Sequence, residues 1–188
     1  MIGQPERAAL CGGMAETMPL TERVRANPLS AAALAVTIAA ALTLAGAWFF
    51  QLVIGLEPCP LCLDQRVPYY IAVPLGLALA WLARSPARAR YVRIGLAILG
   101  VVMLVGAGYG VYHAGVEWGF WQGPAACAGT AATPGDILSQ LKTTTRVVSC
   151  SEAPWRFLGL SLAGYNVLIA GALAAVSFWA AFGRPRTA

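Results

Sequence analysis

The side chains in this sequence best suited to chemistry are sulfurs. There are five, at Cys11, Cys59, Cys62, Cys127 and Cys150. Cys59 and Cys62 stand in Glu57-Pro58-Cys59-Pro60-Leu61-Cys62 with two residues between them. A disulfide across so short a gap closes too small a ring to restrain much of the unfolded chain. The same spacing suits thiol-disulfide exchange, in which one sulfur attacks and its neighbour resolves the mixed disulfide. Cys127 and Cys150, with 22 residues between them, admit two readings: a structural bridge across a loop, or a second exchange pair. Zinc fits poorly, because a zinc ribbon wants two tightly spaced pairs and the chain's one histidine is His113.

The elements that must position these sulfurs are apolar. Of 188 residues, 59% are hydrophobic and 11% charged, with a mean hydropathy of +0.67. Such a composition excludes an ordinary soluble domain, whose charged share is about 25%. The net charge of +5 does not indicate a nucleic-acid partner, since the basic residues sit at the ends of apolar runs. Crossing about 30 Å of hydrocarbon takes roughly 20 apolar residues as a helix. Four stretches qualify, at roughly 29–56, 67–83, 92–116 and 157–182. The second holds Pro68, suited to a first helical turn, and Pro74, which should kink the helix or open its hydrogen bonding. No strand alternation is long enough for a barrel.

Lys and Arg are retained on the cytoplasmic side of a bilayer. The N-terminal tail, the link between spans two and three, and the C-terminal tail carry nine; the other two connections carry four, Arg66, Lys142, Arg146 and Arg156. The expected protein is an all-α, integral membrane four-helix bundle with both termini cytoplasmic and two outward cysteine-bearing loops. Residues 1–28 form a disordered cytoplasmic tail, 29–182 the four-span domain, and 183–188 a short cytoplasmic tail. Trp118, Trp121 and Trp155 flank the third connection, as an aromatic belt would. No removable signal peptide is read before Pro28. Four cysteines then face outward, an even number in an oxidising compartment, and Cys11 stays inside and reduced.

The Cys59–Cys62 pair lies where the first span leaves the bilayer, within reach of a lipid-soluble oxidant. A dithiol delivers two electrons and a quinone accepts two electrons with two protons, so the stoichiometry matches without a metal. Arg66 follows Cys62 by one helical turn. There a fixed cation favours a Cys62 thiolate and a quinone oxyanion, although an arginine reaching lipid head groups explains the same placement. His113, near the outer end of the third span, can donate a hydrogen bond to a quinone oxygen; the plainer reading is an interfacial hydrogen-bonder. Glu117, Glu57 and Asp64 read as solvated carboxylates at the membrane surface. Gly106 and Gly110 read as helix packing, and Asn166 as a bond across the bundle. Gly123-Pro124 and Thr133-Pro134-Gly135 are turn signals in a loop expected to move. The small residues around Cys127 suit an extended peptide lying in a partner's groove.

These segments resemble the disulfide bond formation protein B (DsbB) family, inner-membrane quinone reductases that reoxidise the periplasmic oxidant DsbA. The resemblance rests on Glu57-Pro58-Cys59-Pro60-Leu61-Cys62 with Gln65-Arg66, on Gly110-Val111-Tyr112-His113-Ala114-Gly115-Val116-Glu117 leading to Trp121-Gln122-Gly123-Pro124, and on Trp155-Arg156-Phe157-Leu158-Gly159-Leu160-Ser161. It covers roughly residues 30 to 182. It implies that a reduced DsbA-type thioredoxin-fold protein attacks the Cys127–Cys150 disulfide, forming its mixed disulfide with Cys127, and that electrons pass to Cys59–Cys62. It further implies an inter-loop bridge from Cys59 to Cys150 that leaves Cys62 to engage the quinone, ubiquinone or menaquinone, with Arg66 and His113 lining the quinone site. Ser149 and Ser151 flank Cys150 where related chains often carry an acidic residue. Two other readings share the cysteines: a membrane scaffold with structural disulfides, and an enzyme running electrons the opposite way.

Overall fold

The structure, a computed structural model, describes residues 27–124 and 149–183. Its elements are α1 (Pro28–Leu52), the short α2 (Pro60–Asp64), α3 (Val67–Leu82), a 3-10 turn (Pro86–Arg88), α4 (Ala89–Glu117), a hairpin of β1 (Arg156–Phe157) and β2 (Leu160–Ser161), and α5 (Leu162–Phe182). The four long helices pack together, α4 most extensively along α5, α1 along α3, and α3 along α4.

Small residues let the helices approach. A Cβ on Gly76 of α3 would run into the Thr37 side chain of α1. A Cβ on Gly110 of α4 would meet Val167 Cγ2 at 2.9 Å and Asn166 Nδ2 at 3.0 Å on α5, which bears out the packing role read for this glycine. Asn166 bonds across the bundle as expected, its Nδ2 donating to Gly106 O at 3.2 Å and its Oδ1 accepting from Tyr69 Oη at 2.6 Å. Val36, Leu96, Leu99, Met103 and Ala170 are fully buried between the helices. Polar caps fasten one end. Asn27 accepts from Ser30 N and donates to Ala83 O, joining the start of α1 to the end of α3, and Arg93 donates to Ala181 O and Gly183 O at the end of α5.

The outer faces are apolar too. Leu42, Ile94, Ile98, Leu104, Leu168 and Trp179 are among many large hydrophobic side chains left exposed, which in water would be unfavourable on this scale. Three stretches, Pro28–Leu52, Pro86–Glu117 and Leu162–Phe182, are long and apolar enough to cross a membrane. The chain is a helical membrane protein. At 16 residues α3 is shorter, and it runs continuously through Pro74.

Several boundaries differ from the sequence reading. The first helix ends at Leu52, not 56: the Val53, Ile54 and Leu56 amides turn back onto the Phe49 and Phe50 carbonyls, and Gly55 takes a φ of 77°. The last helix starts at Leu162, not 157. Leu158 and Gly159, with φ of 49° and 82°, make a two-residue turn of the kind that closes hairpins, and Ser161 caps α5 by accepting from Gly164 N. The third helix begins three residues early, at Ala89, and the second ends at Leu82.

Candidate functional site

Beyond α1 the chain turns through Gly55 and leads to Cys59, which forms the N-cap of α2 in extended conformation. Its Sγ accepts from the Cys62 backbone N–H at 3.2 Å and lies 2.7 Å from Cys62 Sγ. Both are free thiols, Cys59 buried and Cys62 partly so. Cys59, Leu61, Val116 and Cys150 form an apolar cluster of their own, apart from the main core.

From α4, His113 reaches the pair. Its Nε2 stands 3.7 Å from Cys59 Sγ, and its Nδ1 lies 2.6 Å from Gln65 Nε2. Gln65 Nε2 also donates to Leu61 O at 3.3 Å. Gln65 thus holds the ring from its Nδ1 side and leaves Nε2 facing the sulfur. Cys59 is accordingly pushed down from the ordinary thiol range to about 5: the Cys62 thiol donates to it, His113 adds a hydrogen bond and charge, and the Cys62 amide contributes, together outweighing burial. Cys62 is pushed up, because the Cys59 sulfur holds its proton and burial opposes its charge.

Arg66 is not where the sequence reading put its charge. Its Nη1 donates to Gln51 Oε1 at 2.7 Å, its Nη2 to Ala47 O at 3.4 Å, and the guanidinium lies 5.5 Å from the Trp48 ring centroid. The cation is drawn toward α1 by an acceptor and an aromatic face while still lining the cavity, and Cys59, not Cys62, is the favoured thiolate.

Glu117 also departs from expectation. Glu57 and Asp64 are exposed, but the Glu117 side chain is 2% exposed, with Oε1 3.8 Å from His113 Nε2. Residues four apart share a helix face, so an inward His113 brings Glu117 in with it; that spacing was the available signal. Gln65 was visible in the sequence only as part of a motif.

Cys150 is buried and disulfide-bonded. Its Sγ, Cys59 Sγ and a His113 ring nitrogen all lie within 4.8 Å of one another. The three donors are close enough to share an ion, but one sulfur is already bonded to another, so what the cluster offers directly is sulfur exchange. Cys127 and Cys11, the residues around Cys127, the Thr133-Pro134-Gly135 turn and the bulk of both tails lie outside the described residues.

Beside the pair opens a cavity of about 410 Å³. Cys59, Cys62, Gln65, Arg66, His113 and Glu117 line it, with apolar walls from α1 and α5, among them Leu44, Phe50 and Ile169. Trp155 closes one side, stacked on Phe157 with ring centroids 5.8 Å apart and packed against Phe50 at 5.3 Å.

The family model for disulfide bond formation protein DsbB matches residues 29–180. The chain belongs to the DsbB family. Among curated relatives, disulfide bond formation protein B of Methylococcus capsulatus is 34% identical over 74% of this chain and 87% of its own length. The same-named protein of Marinobacter nauticus is 32% identical over 66% of this chain and 75% of its own. An uncharacterized protein of Rickettsia prowazekii is 26% identical over 68% of this chain and 73% of its own. No solved structure matches. Membership in the DsbB family makes this a membrane protein of disulfide bond formation, with an oxidoreductase role.

Proposed function

We propose that this DsbB-family chain reoxidises a periplasmic DsbA-type dithiol protein and passes the two electrons to a membrane quinone. The observation that carries this reading is the cavity. Cys59 and Cys62 line it together with Gln65, Arg66, His113 and Glu117, and its volume falls within the range of about 300–1,000 Å³ ordinary for small-molecule sites. Apolar walls suit an isoprenoid quinone, and His113 with Arg66 supplies donors where its oxygens would lie. A bound quinone supplies a two-electron, two-proton acceptor. The chain's residues do the rest: Cys59 and Cys62 give up the electrons, Trp155 and Phe50 exclude water, and His113 handles a proton at Nε2.

For exchange with the partner, Cys127 takes the mixed disulfide and Cys150 is released. The Cys150 sulfur then attacks Cys59 Sγ of the Cys59–Cys62 disulfide; the new bond joins Cys59 to Cys150 and Cys62 leaves. The closeness of the Cys150 and Cys59 sulfurs supports this order. The partner's second cysteine resolves the mixed disulfide and the partner leaves oxidised; the freed Cys127 then attacks Cys150 and releases Cys59, so that the Cys59–Cys62 pair stands reduced at the cavity with Cys150 again disulfide-bonded.

We place the protein in the bacterial inner membrane. All four long helices cross it, α3 included, with both termini in the cytoplasm and the cysteine loops in the periplasm. The test is anaerobic quinone reduction by purified protein in detergent, with a reduced DsbA-type protein as donor and ubiquinone and menaquinone offered in turn. Catalytic loss of quinone absorbance that disappears in Cys62→Ala supports the reading. Cysteines that stay oxidised in a folded sample treated with reduced partner would favour the scaffold with structural disulfides.

A further inference from the structure

Glu117 is an expensive residue to bury. A carboxylate at this depth normally pairs or neutralises itself, yet Oε2 has no hydrogen-bond partner among the described residues, and Oε1 meets only His113 Nε2, at 3.8 Å. Both residues line the cavity. His113 Nε2 therefore lies between two acidic groups, Cys59 Sγ at 3.7 Å and Glu117 Oε1. Other charged or titratable groups line the same cavity: Cys62 beside Cys59, Arg66 turned onto Gln51, and Glu57, Glu152, Tyr69 and Tyr165. Gln65 suits either state of the ring, since its amide can donate to Nδ1 of the neutral imidazole or, turned over, accept from Nδ1–H of the cation.

We infer that Glu117 holds on His113 the proton that leaves Cys59, keeping it in the cavity until quinone reduction takes it up. This deepens the proposed quinone reaction and rests on it. Oxidising the Cys59–Cys62 dithiol forms one S–S bond and releases two electrons and two protons, the number a quinone needs to become its quinol, so no further acid or reductant enters. Cys62 carries one proton on sulfur; His113 carries the other. While Cys59 is a thiolate the imidazolium has two anionic neighbours. Once Cys59 is in a disulfide its charge is gone, and Glu117 is the anion left in contact. Glu117 is thus a positioning residue that acts through His113.

The chain's single histidine makes the test direct. Ring nitrogen-15 spectra of full-length, quinone-free protein in detergent read His113 alone. At about pH 7 the wild type should keep its imidazolium signature after Cys59 and Cys62 are oxidised. In Glu117→Gln the imidazolium share should fall about tenfold or more, the ordinary effect of losing an opposite charge at this range, and Glu117→Asp should restore part of it. Quinone reduction by Glu117→Gln should fall by about 100-fold, as for loss of a positioned proton donor, with the deficit narrowing as pH drops. A wild-type imidazole that turns neutral on oxidation overturns the inference without any variant. So does an unchanged imidazolium share in folded Glu117→Gln, or a reduced share with turnover intact across pH. If wild-type protein reduces neither quinone, the quinone reading fails, while the spectra still decide whether Glu117 holds the proton.

Discussion

His113 Nε2 stands 3.7 Å from Cys59 Sγ, although the two residues are 54 positions apart in the chain. The contact joins the end of the longest helix to a cysteine at the N-cap of a five-residue one. After donation from Cys62, it is one of the causes that push the buried Cys59 sulfur down from the ordinary thiol range.

The first consequence is a pH profile. With Cys59 near 5, well below the ordinary thiol value of about 8.5, its thiolate is present at neutral pH and is lost only as pH falls through about 5. In reduced protein, alkylation of Cys59 followed by mass spectrometry should be flat above pH 6 or so and drop toward pH 4 or so. His113→Ala should move the inflection up by about one unit. A wild-type inflection near that of a free thiol would contradict the geometry described.

The neighbouring sulfur matters more than the histidine. Donation from the Cys62 thiol is the largest cause of the lowered Cys59 value. Cys62→Ala should therefore raise the Cys59 inflection further than His113→Ala does, measured by the same alkylation, and should abolish quinone reduction. An inflection that does not move in Cys62→Ala would mean the histidine and the helix cap hold the thiolate by themselves.

Arg66 offers a contrast between charge and shape. Lysine keeps the charge but cannot bond Gln51 and lie flat over Trp48 together. Arg66→Lys should raise the quinone KM about tenfold, the worth of a charge-assisted hydrogen bond, with the helical content and unfolding midpoint unchanged. A KM equal to that of wild type would make Arg66 a lipid-facing anchor.

Much of this was legible in the sequence, for physical reasons. Spans of about 20 apolar residues can be read by counting, and two cysteines separated by two residues suit exchange chemistry where no second close pair completes a zinc site. The ends of the spans were harder. Residues 53–56 and 157–161 are as apolar as the helices they adjoin, and it is the positive φ at Gly55, Leu158 and Gly159 and the Ser161 cap that break the pattern. Side-chain partners were hardest. Spacing placed Arg66 one turn from Cys62, but the pull of Gln51 and Trp48 comes from another helix and cannot be read locally. Glu117 could have been found, since an inward His113 commits the residue four positions on to the same face; Gln65 could not, because its role depends on where α4 lies.

The interhelical bond between Tyr69 and Asn166 gives a prediction about stability. Tyr69 Oη donates to Asn166 Oδ1 at 2.6 Å, both residues are buried, and Asn166 Nδ2 holds Gly106 O on the third helix of the set. Tyr69→Phe and Asn166→Leu should each destabilise the protein by about 1–2 kcal/mol, the range for such bonds between membrane helices. Because each change strands the other's partner, the double variant should cost clearly less than the sum. Reversible unfolding in detergent would read all three. Strict additivity would show that the two side chains do not act together. Both side chains also line the cavity, so a coupled loss of stability should bring a coupled loss of quinone affinity. The bond that fastens the helices also sets the shape of the wall.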